Sequence, residues 1–124
     1  MTMPLALLIY ENLLPGSQLP NRLEQLGYRV QMVADAASFL ESAEREKPML
    51  VVMDLVSSKA DMCALVSQLR ANPATQHLPV LAYTDEQNAA LQAQARQAGA
   101  TLVASGTAFL SQLPHLLEQV LQVD

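Results

Sequence analysis

The sequence predicts a three-layer α/β sandwich around one five-stranded parallel sheet, with five helices. Three observations carry that prediction. Short apolar runs recur along the chain, and segments of helical periodicity separate them. Two of the runs, residues 5–10 and residues 49–53, are apolar throughout, the pattern of strands covered on both faces. The connections are short and carry Gly, Pro or Asn, which suits strand–helix alternation within one domain.

Residues 5–10 read as the first strand, and Glu11 and Asn12 follow it. Pro15-Gly16 breaks the chain. Ser17 is placed to cap a first helix with Pro20 in its first turn, where a missing N–H costs nothing. Leu19, Leu23 and Leu26 form its apolar stripe, and Gly27 ends it. Residues 28–33 alternate, which predicts a strand with one wetter face at the sheet edge. Asp35 is placed to cap a second helix running to about Lys47, with Phe39, Leu40 and Ala43 inward. Pro48 ends it. Residues 49–55 form the third, central strand. After the loop 57–60, a helix from Asp61 buries Met62, Leu65, Val66 and Leu69, and Asn72-Pro73 stops it. Residues 78–83 are the fourth strand, with Thr84 at its end and placed to cap a helix over 85–98 that Gly99 terminates. Residues 100–104 form a short fifth strand. The last helix opens with Ser111-Gln112-Leu113-Pro114 and buries Leu113, Leu116, Leu117, Val120 and Leu121.

The chain has 124 residues, of which 51% are apolar and 15% charged, so a proper core is expected and a disordered tail is not. No linker or second domain is visible, and residues 1–124 read as a single domain. No apolar run approaches the roughly 20 residues of a membrane span. Residues 1–10 lack the basic lead-in and cleavage pattern of a signal peptide. The formal charge is −5, and the 7 basic residues are scattered. Direct nucleic-acid binding needs a basic cluster, so a protein or small-ion partner is expected instead. Cys63 is the only cysteine, which removes a disulfide framework and a cysteine zinc site and fits a cytoplasmic chain. It reads as a small buried residue. His77 and His115 are far apart in sequence. No nucleophile–base pair, Gly-rich phosphate loop or zinc spacing is present, so the chain is not expected to be an enzyme.

In a doubly wound sheet of the flavodoxin-like order 2-1-3-4-5, strands one and three are neighbours where the winding reverses. Tyr10-Glu11 and Asp54 then meet at one rim, with Thr84 alongside. These residues carry a resemblance. Val51-Val52-Met53-Asp54-Leu55 looks like the strand that holds the phosphoryl-accepting aspartate of two-component response-regulator receiver domains. Leu78-Pro79-Val80-Leu81-Ala82-Tyr83-Thr84 resembles the strand that ends in their switch hydroxyl. Leu69 to Thr75 and Gly99-Ala100 match as well, and the spacings from Glu11 to Asp54 and from Asp54 to Thr84 agree. The likeness runs from Leu5 to about Leu121.

The resemblance implies transfer of a phosphoryl group from phosphohistidine to Asp54, assisted by Mg²⁺ held by the acceptor and by acids after strand one. It also implies a lysine after strand five, a moving Thr84 hydroxyl and an aromatic on strand five. A phosphoryl group adds nearly two negative charges beside existing carboxylates, so cations must be supplied. Here the chain departs from the family. Tyr10 stands at one acid position of the pair Tyr10-Glu11, which leaves Mg²⁺ to Glu11, Asp54, a backbone carbonyl and water. The lysine position is Gly106, its following proline is Thr107, and the aromatic position is Val103. Lys59 is the cation nearest Asp54 in sequence. The family likeness therefore implies a degenerate receiver that serves as an interaction or dimerisation module. Its expected partners are a histidine kinase, a downstream effector, or a second copy through the face of helix 4, strand 5 and helix 5. A working aspartyl-phosphate acceptor in a phosphorelay, with weak or unusual Mg²⁺ dependence, is the alternative. A flavin-type binder of the same architecture is a third reading, but residues 13–16 offer little for a phosphate.

Overall fold

The central strands form where residues are apolar on both faces, because both faces are covered by helices. The computed structural model describes residues 4–12, 17–57, 60–84, 88–105 and 109–121. Strands β1 (Leu5–Ile9), β3 (Leu50–Asp54) and β4 (Val80–Thr84) are buried at every residue. β2 (Arg29–Met32) and β5 (Leu102–Ser105) are wetter and lie at the two edges. The order is β2-β1-β3-β4-β5, and all four pairings are parallel, as the sequence predicts.

Helices α1 (Leu19–Gln25), α2 (Ala36–Glu46), α3 (Met62–Ala71), α4 (Ala89–Ala98) and α5 (Leu113–Leu121) alternate with the strands. Successive strand residues point to opposite faces and so feed two separate cores. Leu7, Val51, Met53 and Ala82 pack with Phe39 of α2, Leu65 and Leu69 of α3 and Ala95 of α4. Leu8, Val52, Leu81 and Tyr83 pack with Leu19 and Leu23 of α1 and Leu113 and Leu117 of α5. By the same alternation Asp54 falls on the α1–α5 side of the sheet, and Thr84 on the side of α2, α3 and α4.

Side-chain caps set three helix starts. Asp35 accepts from the Ser38 amide at 2.8 Å, Asp61 from Ala64 at 3.1 Å and Asn88 from Leu91 at 3.4 Å. The first of these bonds holds the exposed Asp35 carboxyl below the usual range. Two expected starts are corrected. The cap position of α1 is Gln18, not Ser17, and it makes no side-chain cap bond, although Pro20 does sit in the first turn. The helix expected from Asp85 begins after Asn88, so Thr84 is not its cap. Two apolar residues are also wetter than expected. Met49 is 49% exposed, so the third strand opens at Leu50, and Leu26 at the end of α1 is 39% exposed. Among the described residues no helix is long and apolar enough to cross a membrane.

Gly99 closes α4 with φ +116, and a Cβ there would lie 2.7 Å from Arg70 Cγ. That contact would not relax cheaply, because the Arg70 guanidinium is fixed by hydrogen bonds to Gly99 O and Thr101 Oγ1. Gly99→Ala is expected to lose about 2 kcal/mol, read as a fall in the urea midpoint.

Candidate functional site

β3 delivers Asp54 to the rim of the sheet with only 4% of its surface exposed. A carboxylate this buried needs donors, and the chain supplies neutral ones. The Asn12 side-chain amide donates to Asp54 Oδ2 at 2.9 Å, and the Asn12 backbone N–H approaches the same oxygen at 3.4 Å. The Val56 N–H donates to Asp54 Oδ1 at 3.0 Å. The same Asn12 Nδ2 also donates to the Val56 carbonyl at 3.1 Å. Both carboxylate oxygens are thereby held by uncharged groups from the exit of β1 and from the turn after β3.

Asn12 is the residue that sequence reasoning missed. An Asn one place beyond a strand is an ordinary turn residue, and the acids Glu11 and Asp54 carry the stronger sequence signal. Its position directly after Glu11 was the available signal. Glu11 itself is exposed. Tyr10 is half-buried and packs against the α1–α5 core.

β4 adds two hydroxyls. Tyr83 is the register partner of Asp54, and Thr84 pairs with Ser105 of β5. Both side chains are buried, and among the described residues neither hydroxyl finds a hydrogen-bond partner. Tyr83 stacks on Phe109 with ring centroids 4.6 Å apart and planes 24° from parallel. Burial pushes the Tyr83 phenol up, and the nearby Asp54 carboxylate and Tyr10 add to the shift, so it stays protonated and remains a donor.

Val103 is half-buried, pairs with Ala82 and packs against the core of α2, α3 and α4. Gly106, Thr107 and Lys59 lie outside the described residues. Cys63 is buried, its Sγ lies 3.9 Å from the Leu91 carbonyl, and burial, with a contribution from Asp61, pushes its thiol up. That is the environment of a packing residue and not of a reactive one.

Among the described residues no group of three or more His, Cys, Asp or Glu is placed to hold a metal ion. Among the described residues, Asp54 is bonded with an amide whose N–H bonds point both at its carboxylate and at the Val56 carbonyl. This arrangement does not fit a bound Mg²⁺, which takes oxygen ligands.

Known proteins give this site its family. The model of the response regulator receiver domain matches residues 8–114. The receiver domain of a sensor histidine kinase from Pseudomonas aeruginosa, with a magnesium ion coordinated in its active-site cleft, superposes with a TM-score of 0.85 at 24% identity, covering 97% of this chain and 98% of that one. The chemotaxis response regulator CheY4 of Vibrio cholerae gives 0.83 at 20% identity, covering 96% and 99%. The signal receiver domain of a histidine kinase from Syntrophus aciditrophicus gives 0.83 at 19%, covering 95% and 89%. No curated protein matches the sequence significantly. With the family model spanning the sheet from β1 into α5, and Asp54 at the tip of its central strand, the chain belongs to the response regulator receiver domain family.

Proposed function

We propose that this receiver domain has a degenerate phosphoacceptor site and acts in two-component signalling as a protein-interaction or dimerisation module. The observation that carries this reading is the pairing of Asp54 with Asn12. An acceptor aspartate needs free oxygens and nearby positive charge, whereas among the described residues neutral donors hold both oxygens. The sequence supports it, since neither Lys nor Arg occurs after Arg96 and the lysine position is Gly106. The pair after β1 is better taken as Glu11-Asn12 than as Tyr10-Glu11. One carboxylate is then replaced by an amide, and Tyr10 is the ring that closes the rim beside it. Val103 in place of an aromatic removes the side chain that would report a switch to the surface.

The proposed contact face is α4, β5 and α5. Ala89, Ala90 and Ala93 on α4 are exposed, and β5 is an edge strand with Leu102 and Val103 half-buried. A second copy of the chain, a histidine kinase or a downstream effector is the proposed partner, in the cytoplasm, and no catalysis of its own is assigned. Incubation with acetyl phosphate and Mg²⁺, followed by intact mass measurement, is expected to give no stable adduct of about 80 Da. An adduct that disappears in Asp54→Asn would overturn the reading.

One observation favours the alternative of a working acceptor. The Thr84 hydroxyl is buried at the end of β4, the strand next to β3, and lacks a partner among the described residues, as a switch hydroxyl awaiting a phosphoryl oxygen would. In that reading Glu11 and Asp54 hold Mg²⁺, and the adduct forms.

A further inference from the structure

We propose that the Asn12 amide is a built-in replacement for the divalent cation, so that this receiver holds its site together without metal. The proposal rests on the reading of Asp54 as the acceptor position and adds what stands in for the ion. One NH₂ group meets two oxygens, Asp54 Oδ2 at 2.9 Å and the Val56 carbonyl at 3.1 Å. Two oxygens converging on one point repel unless something positive lies between them. A cation would serve, and here the two N–H bonds of a single amide do. The Asn12 and Val56 backbone N–H groups add two more donors to the carboxylate, at 3.4 Å and 3.0 Å.

The orientation of the amide is decided by the same contacts. Turned over, it would place Oδ1 against Asp54 and the Val56 carbonyl, bringing three oxygens together with no proton among them. That arrangement is stable only around a cation, so a metal must displace two hydrogen bonds before it gains a ligand. Asn12 and Val56 are solvent-exposed while Asp54 behind them is buried, so an arriving ion meets the amide before it meets the carboxylate. Exchanging the amide for a carboxylate reverses the balance. Asn12→Asp has no N–H to give, sets two carboxylates and a carbonyl against one another, and makes a cation necessary for their neighbourhood.

The test uses the whole chain and Mg²⁺ alone. Thermal midpoints and backbone NMR spectra are recorded over a titration to about 10 mM, a range in which a site rich in carboxylates saturates. The wild type is expected to keep its midpoint and to show no saturable shifts at Asn12, Asp54 or Val56. Asn12→Asp is expected to bind at least about tenfold more tightly and to gain about 3–5 °C from the ion. Saturable shifts at those three residues in the wild type would overturn the proposal, since Asn12 would then be a ligand and not a substitute. An Asn12→Asp protein indifferent to Mg²⁺ would overturn it as well. Asn12→Asp combined with Asp54→Asn is expected to lose the gain, and if the gain survives, the ion binds elsewhere and the proposal fails. None of these outcomes depends on phosphorylation, so the interaction-module reading stands or falls separately on the mass measurement.

Discussion

Arg70→Ala is expected to destabilise the fold by about 3–4 kcal/mol, seen as a lower urea midpoint with an unchanged slope. Arg70 sits in the last turn of α3, and its head group does not form an ion pair with any of the described residues. Its guanidinium instead gathers four neutral acceptors. Nε donates to the Gly99 carbonyl at 2.8 Å, one terminal nitrogen to the carbonyls of Gln76 at 2.8 Å and Leu78 at 2.7 Å, and the other to Thr101 Oγ1 at 3.0 Å. Partial burial lowers its pKa, but the group stays charged at any ordinary pH. Removing it leaves the two carbonyls before β4 and the carbonyl that ends α4 without this donor. Lysine cannot repair the loss, because a single ammonium lacks the planar fork that reaches all four acceptors. Arg70→Lys is therefore expected to recover less than half of the stability. Combined with Arg70→Ala, Gly99→Ala is expected to cost less than it does alone, since the side chain its Cβ would strike is gone.

Phe109→Ala is expected to cost about 3–5 kcal/mol in thermal or urea unfolding. The ring is 2% exposed and lies just ahead of α5, in the core shared with α1. Truncation leaves a cavity and also removes the stacked pair with Tyr83, worth about 1 kcal/mol beyond burial. Tyr83 is the β4 neighbour of Asp54, so the cavity opens directly beneath the rim. Phe109→Leu keeps most of the volume and should retain more than half of the lost stability, though the tyrosine signal would still change as the stack is lost. Equal losses for the two variants would show that stacking, and not filled volume, is what the ring contributes.

The sheet was legible because its information is local and redundant. Each central strand is a run of apolar residues flanked by breakers, and a parallel order follows once helices intervene. Asp35 was legible as a cap because an acid directly before a periodic segment has few other roles, and Asp61 was legible only as the place where a helix starts. Boundaries were less so. Thr84 and Asn88 are both acceptable caps, and the choice between them depends on where α4 packs. Met49 looks like the first residue of a buried strand, but coverage of that position depends on neighbours far away in sequence. The site divides in the same way. Asp54 and Thr84 stood out at the ends of recognisable strands. Asn12 did not, because its role is a contact across the gap between β1 and β3 that no single segment encodes. A tyrosine in an apolar strand reads as filler, and only the fold shows the Tyr83 phenol buried near a carboxylate.

The Arg70 contacts have a bearing on how the molecule opens. One head group joins the end of α3, the turn before β4, the end of α4 and the approach to β5. Partial unfolding on that side cannot release one of these segments without weakening the others, so they belong to one cooperative unit. At the opposite edge β2 pairs only with β1 and leaves Met32 45% exposed. Brief openings of the native state are therefore cheapest around β2, while the half that contains α4 and β5 remains closed or opens together.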